Sequence, residues 1–182
     1  MRPDPGFTLL VGGARSGKSD LAVQLGQTWP AEVFVAATAT AGDDDMADRI
    51  ARHQAERPDS WGLLEAPLFG ANDVVAVDDD ALLIVDCITM LVTNLVMGDR
   101  PATMIAEHLT MLADALASRS GPSIVVTNEV GMGVHPPTNM GREFRDTLGR
   151  ANRRLAGRAD STLLVVAGMV LPLDRLEMTW SH

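Results

Sequence analysis

The stretch Gly12-Gly13-Ala14-Arg15-Ser16-Gly17-Lys18-Ser19 matches the pattern G-x-x-x-x-G-K-[ST] at every fixed position. It lies between the apolar run 7–11, which is typical of a buried strand, and residues 19–28, whose apolar members recur at helical spacing. Between a strand and a helix, such glycines let backbone N–H groups surround phosphate oxygens, and the helix start adds partial positive charge. The stretch predicts a nucleoside triphosphate site; the alternative is a glycine-rich turn with a solvated lysine.

The motif gives particular roles to individual side chains. Lys18 is expected to reach the β- and γ-phosphates, the Ser19 hydroxyl to ligate Mg²⁺, and Arg15 to add a further cation. A second Mg²⁺-organising group is expected from Asp86, because it ends the apolar run 81–86. Apolar strands ending in Asp are common, so this assignment depends on the phosphate loop being present.

Composition and charge restrict the class of protein. The chain has 182 residues, which fits one domain, 1–182, with residues 1–6 expected to be disordered. Its net charge of −9 argues against a general affinity for nucleic acid, whose phosphates it would repel. No apolar run reaches membrane-spanning length, and the single cysteine, Cys87, suits a reducing cytoplasm and a buried, inert thiol.

Apolar runs alternate with helical patterns along the whole chain. Strands are expected at 32–37, 61–65, 81–86, 123–127 and 161–168, and helices at 46–57, 87–96, 101–118 and 138–157. Residues 66–77 fit a helix or a loop, and the stretch after Val170 has too little pattern to place. The alternation predicts an α/β fold, with a parallel sheet covered by helices on both faces.

One helix carries a candidate nucleophile. Met46, Ile50, His53 and Arg57 share a stripe on the predicted helix 46–57, and further arginines flank it. Arginine charges favour the neutral imidazole, which can attack phosphorus, although a lone histidine beside an apolar stripe is usually structural. The acidic run 43–45 before this helix is expected to cap it; Mg²⁺ binding is the alternative.

Several motifs together resemble one family. The phosphate loop, Ala37-Thr38, Asp44-Asp45-Met46-Ala47, Arg49-Ile50, Arg57-Pro58, Trp61, Asp86-Cys87-Ile88-Thr89, Asn94-Leu95 and Val126-Thr127-Asn128-Glu129-Val130-Gly131-Met132-Gly133 all match it. They resemble the bifunctional adenosylcobinamide kinases/adenosylcobinamide-phosphate guanylyltransferases of cobalamin biosynthesis, from Phe7 to about Gly168. The stretch 127–133 is far more specific than the phosphate loop.

The resemblance implies two reactions. A nucleoside triphosphate, ATP or GTP, phosphorylates adenosylcobinamide; GTP then guanylylates a histidine, and the corrinoid phosphate takes up the GMP to give adenosylcobinamide-GDP. His53 matches the guanylylated histidine. Many relatives have two adjacent histidines, whereas Arg52 precedes His53 here, so one acceptor remains. The resemblance also implies a RecA-like P-loop fold and a cytoplasmic homotrimer. His135-Pro136-Pro137 lies in a region that would suit corrinoid contact.

The remaining site residues come from the same resemblance. It implies Mg²⁺ at Ser19 and Asp86, catalytic roles for His53 and Lys18, and GTP contacts from the phosphate loop and four later places in the chain. These contacts are Gly12, Gly13, Ala14, Arg15, Ser16, Gly17, Lys18, Ser19, Ala37, Thr38, Ala39, Gln54, Ala55, Glu56, Arg57, Glu65 and Asp86. Thr38 and Glu65 are the expected polar contacts, whereas Ala39 replaces a frequently polar residue.

Two other functions fit the residues alone. A P-loop kinase of another small metabolite would transfer the γ-phosphate without forming covalent GMP, and its His53 would be structural. A nucleotide-dependent regulator would bind GTP and transfer nothing; the intact set Lys18, Ser19, His53 and Asp86 disfavours it.

Overall fold

The computed structural model describes residues 6–173, except for the side chains of Asp45 and Arg49. Seven strands form one sheet in the order β3-β2-β4-β5-β1-β6-β7. All neighbouring strands are parallel except β6 and β7. The strands are β1 Phe7–Gly12, β2 Val33–Ala37, β3 Gly62–Glu65, β4 Leu82–Asp86, β5 Ser123–Asn128, β6 Ser161–Val166 and β7 Met169–Pro172.

Six helices accompany the sheet within the described residues. They are α1 Lys18–Gln27, α2 Asp44–Ala55, α3 Ala71–Val75, α4 Ile88–Met97, α5 Ala102–Ser118 and α6 Asn139–Arg158. None of them is long and apolar enough to cross a membrane.

The sheet separates two apolar clusters, as expected for strands whose side chains alternate between faces. On one face Leu9 of β1 and Val125 of β5 pack with α4, α5 and α6. On the other face Leu10 packs with Leu25 of α1 and Trp61. Helices therefore cover both faces, which confirms the α/β class predicted from the alternation of runs.

The last predicted strand differs from the structure. It was expected to run to Gly168, but β6 ends at Val166, and Ala167 and Gly168 both have positive φ, 51° and 76°. Two central residues with φ > 0 form the tight turns that join antiparallel strands. The chain therefore reverses there, and β7 pairs with β6. Residues 1–5 and 174–182 lie outside the described residues. Disorder was expected for residues 1–6, of which only Gly6 is described, and its carbonyl oxygen accepts a hydrogen bond of 2.9 Å from the Ser123 N–H.

The helix carrying His53 also differs at its end. It was expected to reach Arg57, but α2 ends at Ala55, with Glu56 as its C-cap. Its start agrees with the capping interpretation, because the Asp43 carboxylate accepts a hydrogen bond of 2.8 Å from the Met46 N–H. Every α2 side chain that the structure describes is half-buried or exposed, so α2 contributes little to the core. The shortened helix leaves Arg57 in the following loop.

Candidate functional site

The phosphate loop runs from the end of β1 into α1. Gly17 is the N-cap of α1 and has φ of +97°, a conformation that side-chain-bearing residues rarely adopt. The buried Lys18 Nζ donates to Gly13 O at 2.6 Å and to Ser16 Oγ at 3.2 Å. These bonds hold the ammonium at the loop that leads into the start of α1, the position at which such loops bind phosphate.

Gly12 is required by close backbone packing. A Cβ at Gly12 would lie 2.2 Å from Val165 O in β6 and 2.8 Å from Ser16 Oγ. We expect Gly12→Ala to lower the free energy of unfolding by about 1–3 kcal/mol, because strand β6 or the loop must shift. Thermal unfolding without nucleotide measures this. The matched control is Gly13→Ala, whose Cβ would meet nothing within 4 Å; equal destabilisation by both variants would contradict the explanation.

Asp86 brings three parts of the chain together at the carboxyl edge of the sheet. Its Oδ1 lies 3.4 Å from Ser19 Oγ, and its Oδ2 accepts a bond of 3.1 Å from Arg57 Nη2. The side chains of Arg57 and Asp86 are only 11% and 15% exposed, so water screens this ion pair weakly. Arg57 therefore fixes the carboxylate with one oxygen facing the phosphate loop.

The Ser19 and Asp86 oxygens fit a magnesium site. Mg²⁺ at phosphate-transfer sites usually takes one or two protein oxygens and completes its shell with water and substrate phosphates. A hydroxyl and a carboxylate 3.4 Å apart beside a phosphate loop are such a donor set. In the part of the chain that the structure describes, no group of three or more His, Cys, Asp or Glu side chains forms an all-protein metal site.

Thr38 is fully buried, and its hydroxyl binds backbone. The hydroxyl donates to Cys87 O at 2.6 Å and accepts from Cys87 N–H at 2.9 Å, and Thr38 O accepts from Asn94 Nδ2 at 2.8 Å. These bonds join the end of β2 to the residue after Asp86. The geometry gives Thr38 a positioning role for β4, while its contact with GTP remains a prediction.

The other predicted contacts lie around this edge. Ala37 is the register partner of both Asp86 and Glu65, so the exposed Glu65 ends the strand next to β2. Gln54 and Ala55 are exposed at the end of α2.

The His53 side chain is 30% exposed, and its Nδ1 lies 3.8 Å from Glu56 Oε2. The structure thus brings Ser19, Arg57 and Asp86 into contact, with His53 four residues before Arg57.

Polar residues of two helices hold the loops at this edge, and the sequence interpretation gave them no role. Asn94 of α4 also donates to Pro67 O at 2.9 Å, and Thr89 Oγ1 accepts from Asn128 N–H at 2.8 Å. Asn152 of α6 donates to Asn128 O at 2.9 Å. In α4 the available signal was a few polar positions in an otherwise apolar helix, whereas Asn152 lies in the arginine-rich α6, where one more polar residue gives no such signal.

Cys87 is a partly buried thiol beside the site. Burial, with a smaller contribution from the Asp86 charge, raises the pKa of its thiol from 9.0 to about 11. At pH 8 this pKa difference gives the native protein about 100-fold less thiolate than the unfolded chain. Because only the thiolate reacts, we expect the native thiol to react about 100-fold more slowly. Ellman's reagent with and without denaturant measures this; equal rates would contradict it.

Since the thiol ionises at a lower pH in the unfolded chain than in the folded protein, the free energy of unfolding should fall as the pH rises from 9 towards 11.

The strand order, phosphate loop and carboxylate define a P-loop nucleotide-binding protein of the RecA-like α/β class. The fold is similar to that of the ATPase EscN from the enteropathogenic E. coli type III secretion system, with a TM-score of 0.57 and 12% sequence identity. The match covers 90% of this chain and 43% of EscN. A family model described as cobinamide kinase / cobinamide phosphate guanyltransferase matches residues 8–173. The chain belongs to that family, which confirms the resemblance found from the motifs.

Two curated relatives support the same membership. The chain is 39% identical over 166 residues to the bifunctional adenosylcobalamin biosynthesis protein CobP of Pseudomonas aeruginosa, covering 91% of this chain and 95% of that protein. It is 39% identical over 176 residues to the bifunctional adenosylcobalamin biosynthesis protein CobU of Salmonella typhimurium, covering 88% and 96%.

Proposed function

We propose that this protein phosphorylates adenosylcobinamide and then transfers GMP from GTP to the product, through a guanylyl-histidine at His53, to give adenosylcobinamide-GDP. The Arg57–Asp86 ion pair is the observation that carries this proposal. It attaches the segment just after the His53 helix to the carboxylate that faces Ser19. Family membership supplies the substrate class.

In the kinase step, the corrinoid hydroxyl oxygen forms a bond to the γ-phosphorus of ATP or GTP. The bond from that phosphorus to the bridging oxygen breaks, the nucleoside diphosphate leaves and the hydroxyl proton is lost. Lys18 stabilises charge on the β- and γ-phosphates as it develops. Mg²⁺ held near Ser19 and Asp86 would supply further charge neutralisation.

In the transferase step, a ring nitrogen of His53 forms a bond to the α-phosphorus of GTP and pyrophosphate leaves. An oxygen of the corrinoid phosphate then attacks the same phosphorus, and the P–N bond breaks. A proton on Nδ1, which faces Glu56, would leave the Nε2 lone pair available for attack.

The test uses the whole protein with Mg²⁺ and GTP labelled at the α-phosphate, followed by denaturation and intact-mass analysis. An acid-labile, alkali-stable GMP adduct supports the transferase. In a separate reaction with cobinamide and ATP or GTP labelled at the γ-phosphate, transfer of the label to cobinamide supports the kinase. Phosphorylation of another metabolite without an adduct would indicate a different kinase. GTP binding with neither transfer would indicate a regulator.

We also infer that the protein is one domain over 1–182 that works as a cytoplasmic homotrimer. The exposed apolar side chains of Val166, Met169 and Leu171 at the sheet edge support an interface between copies, since monomers rarely expose contiguous apolar strips. Light scattering coupled to gel filtration measures the mass, and a monomer would contradict the trimer.

A further inference from the structure

The hairpin formed by β6 and β7 touches the phosphate loop in two places. At its turn, the Gly168 N–H donates a hydrogen bond of 2.9 Å to Ser16 O. A Cβ at Gly17 would lie 3.5 Å from Gly168 Cα, so the backbones of the two glycines lie close together. At the end of β6, Val165 O is so near Gly12 that a Cβ there would lie 2.2 Å from it. The hairpin therefore meets the phosphate loop at its first residue and again just before α1.

The hairpin itself does not use the Gly168 N–H. Val166 pairs with Met169, so Ala167 and Gly168 are the two central residues of the turn. In such a turn the hydrogen bond joins the two flanking residues, and the N–H of the second central residue has no partner within the hairpin. This donor is therefore available to Ser16 O.

The hydrogen bond determines which way one peptide group of the phosphate loop faces. Ser16 O and the Gly17 N–H belong to the same peptide group, and in a planar trans peptide the C=O and the N–H point in opposite directions. Holding Ser16 O towards the hairpin directs the Gly17 N–H to the opposite side. Glycine restricts its own backbone less than any other residue, so this orientation depends on contacts from outside the loop.

We propose that the β6–β7 turn is a positioning element for the nucleotide, in which the Gly168 N–H holds the Gly17 N–H facing the bound triphosphate. Backbone N–H groups of such loops are the groups that hold phosphate oxygens, and fixing one in advance lowers the cost of ordering the loop on binding. All four residues of β7 are exposed, so the strand adds little to the apolar core of this chain. The inference rests on the proposed function only in requiring a nucleoside triphosphate at this loop.

The direct test removes the donor and leaves the side chain unchanged. Gly168→glycolic acid, introduced into the whole chain by nonsense suppression in cell-free synthesis, exchanges the N–H for an ester oxygen. The ligand is α,β-methylene-GTP with Mg²⁺, which cannot release pyrophosphate, so calorimetry measures binding without transfer. We expect its Kd to rise about three- to tenfold, the effect of losing one hydrogen bond.

The matched control is Ala167→lactic acid, which places the same ester one residue earlier and keeps the Gly168 N–H. Its Kd should stay within about twofold of wild type. In the kinase assay, Gly168→glycolic acid should raise the KM for the nucleotide and leave kcat within about twofold, because the lost contact is made before the reaction begins. Loss of a purely structural contact would lower thermal stability without this change in KM.

Two ordinary substitutions test the conformation of the turn. A Cβ at Gly168 would meet nothing within 4 Å, so a substitution there changes backbone preference without a clash. The φ of Gly168 is 76°, which asparagine tolerates and a β-branched residue does not. Gly168→Asn should therefore keep the wild-type Kd, and Gly168→Val should raise it.

An unchanged Kd in Gly168→glycolic acid would overturn the proposal, as would an equal rise in the Ala167→lactic acid control. Analogue binding by a wild-type protein that gives neither the GMP adduct nor cobinamide phosphorylation would overturn the proposed function and leave the comparison of Kd values valid. Absence of analogue binding by the wild-type protein would overturn both.

Discussion

His53→Ala is expected to abolish the GMP adduct and yet leave phosphorylation of cobinamide within about threefold of wild type. The imidazole is the only protein group that bonds to the α-phosphorus in the proposed scheme, and loss of a covalent nucleophile slows enzymes by roughly 10⁴-fold or more. In the same scheme the kinase step uses Lys18 and the proposed metal site at Ser19 and Asp86, and its hydroxyl acceptor does not need His53. The half-exposed side chain of His53 makes a folding defect a poor explanation. Intact mass and γ-phosphate transfer measure the two activities separately.

The matched control is His108→Gln, which changes a histidine of α5 whose Nε2 lies 2.8 Å from Phe69 O. Glutamine can keep a hydrogen bond at this position, and the residue has no role in the scheme. It should therefore retain the adduct. An adduct that survives in His53→Ala would assign the covalent chemistry to another residue, and joint loss of both activities would show that His53 serves a shared structural purpose.

The layers of the fold were predictable from local pattern. Apolar runs such as 81–86 and 123–127 are short and continuous, as strands buried on both faces are, and helical patterns lie between them. The reversal after β6 was not predictable in the same way. Its turn residues are Ala167-Gly168 rather than the usual Asn-Gly or Asp-Gly pair, and β7 has only four residues, all exposed. Pairing with β6, a tertiary contact, defines that strand.

The same distinction between local sequence and tertiary contacts applies to the site. The phosphate loop and Asp86 follow from local sequence, because each motif is completed within a few residues. The partners of Arg57 and Thr38 do not, since each meets β4 or its end through contacts at least 29 residues away along the chain. Spacing alone assigned Arg57 to a helix stripe with His53. The register of β2 and β4 decides that the Thr38 hydroxyl meets Cys87 backbone.

Asp86→Asn is expected to slow both activities by roughly 10²–10³-fold, the scale on which removing one charge-stabilising group affects other enzymes. Asparagine keeps an oxygen near Ser19 and Arg57 but loses the negative charge that Mg²⁺ requires, and it leaves the poorly exposed Arg57 guanidinium without a counter-charge. The Mg²⁺ concentration for half-maximal rate should therefore rise. Rates measured across Mg²⁺ concentrations test this, with thermal unfolding to exclude a folding defect.

Arg57→Ala and Arg57→Lys separate the charge of Asp86 from its orientation. Arg57→Ala keeps the carboxylate but removes the contact that fixes Oδ2, so we expect a smaller loss of about 10- to 100-fold, as for other residues that orient a metal ligand. Lysine should restore part of the rate. Because the two side chains act through one contact, the double variant Arg57→Ala with Asp86→Asn should be little worse than Asp86→Asn alone. Additive losses would mean that Arg57 acts on the nucleotide directly, the role that the family resemblance implies. Full activity of Asp86→Asn at low Mg²⁺ concentration would show that the Asp86 carboxylate is not part of the metal site.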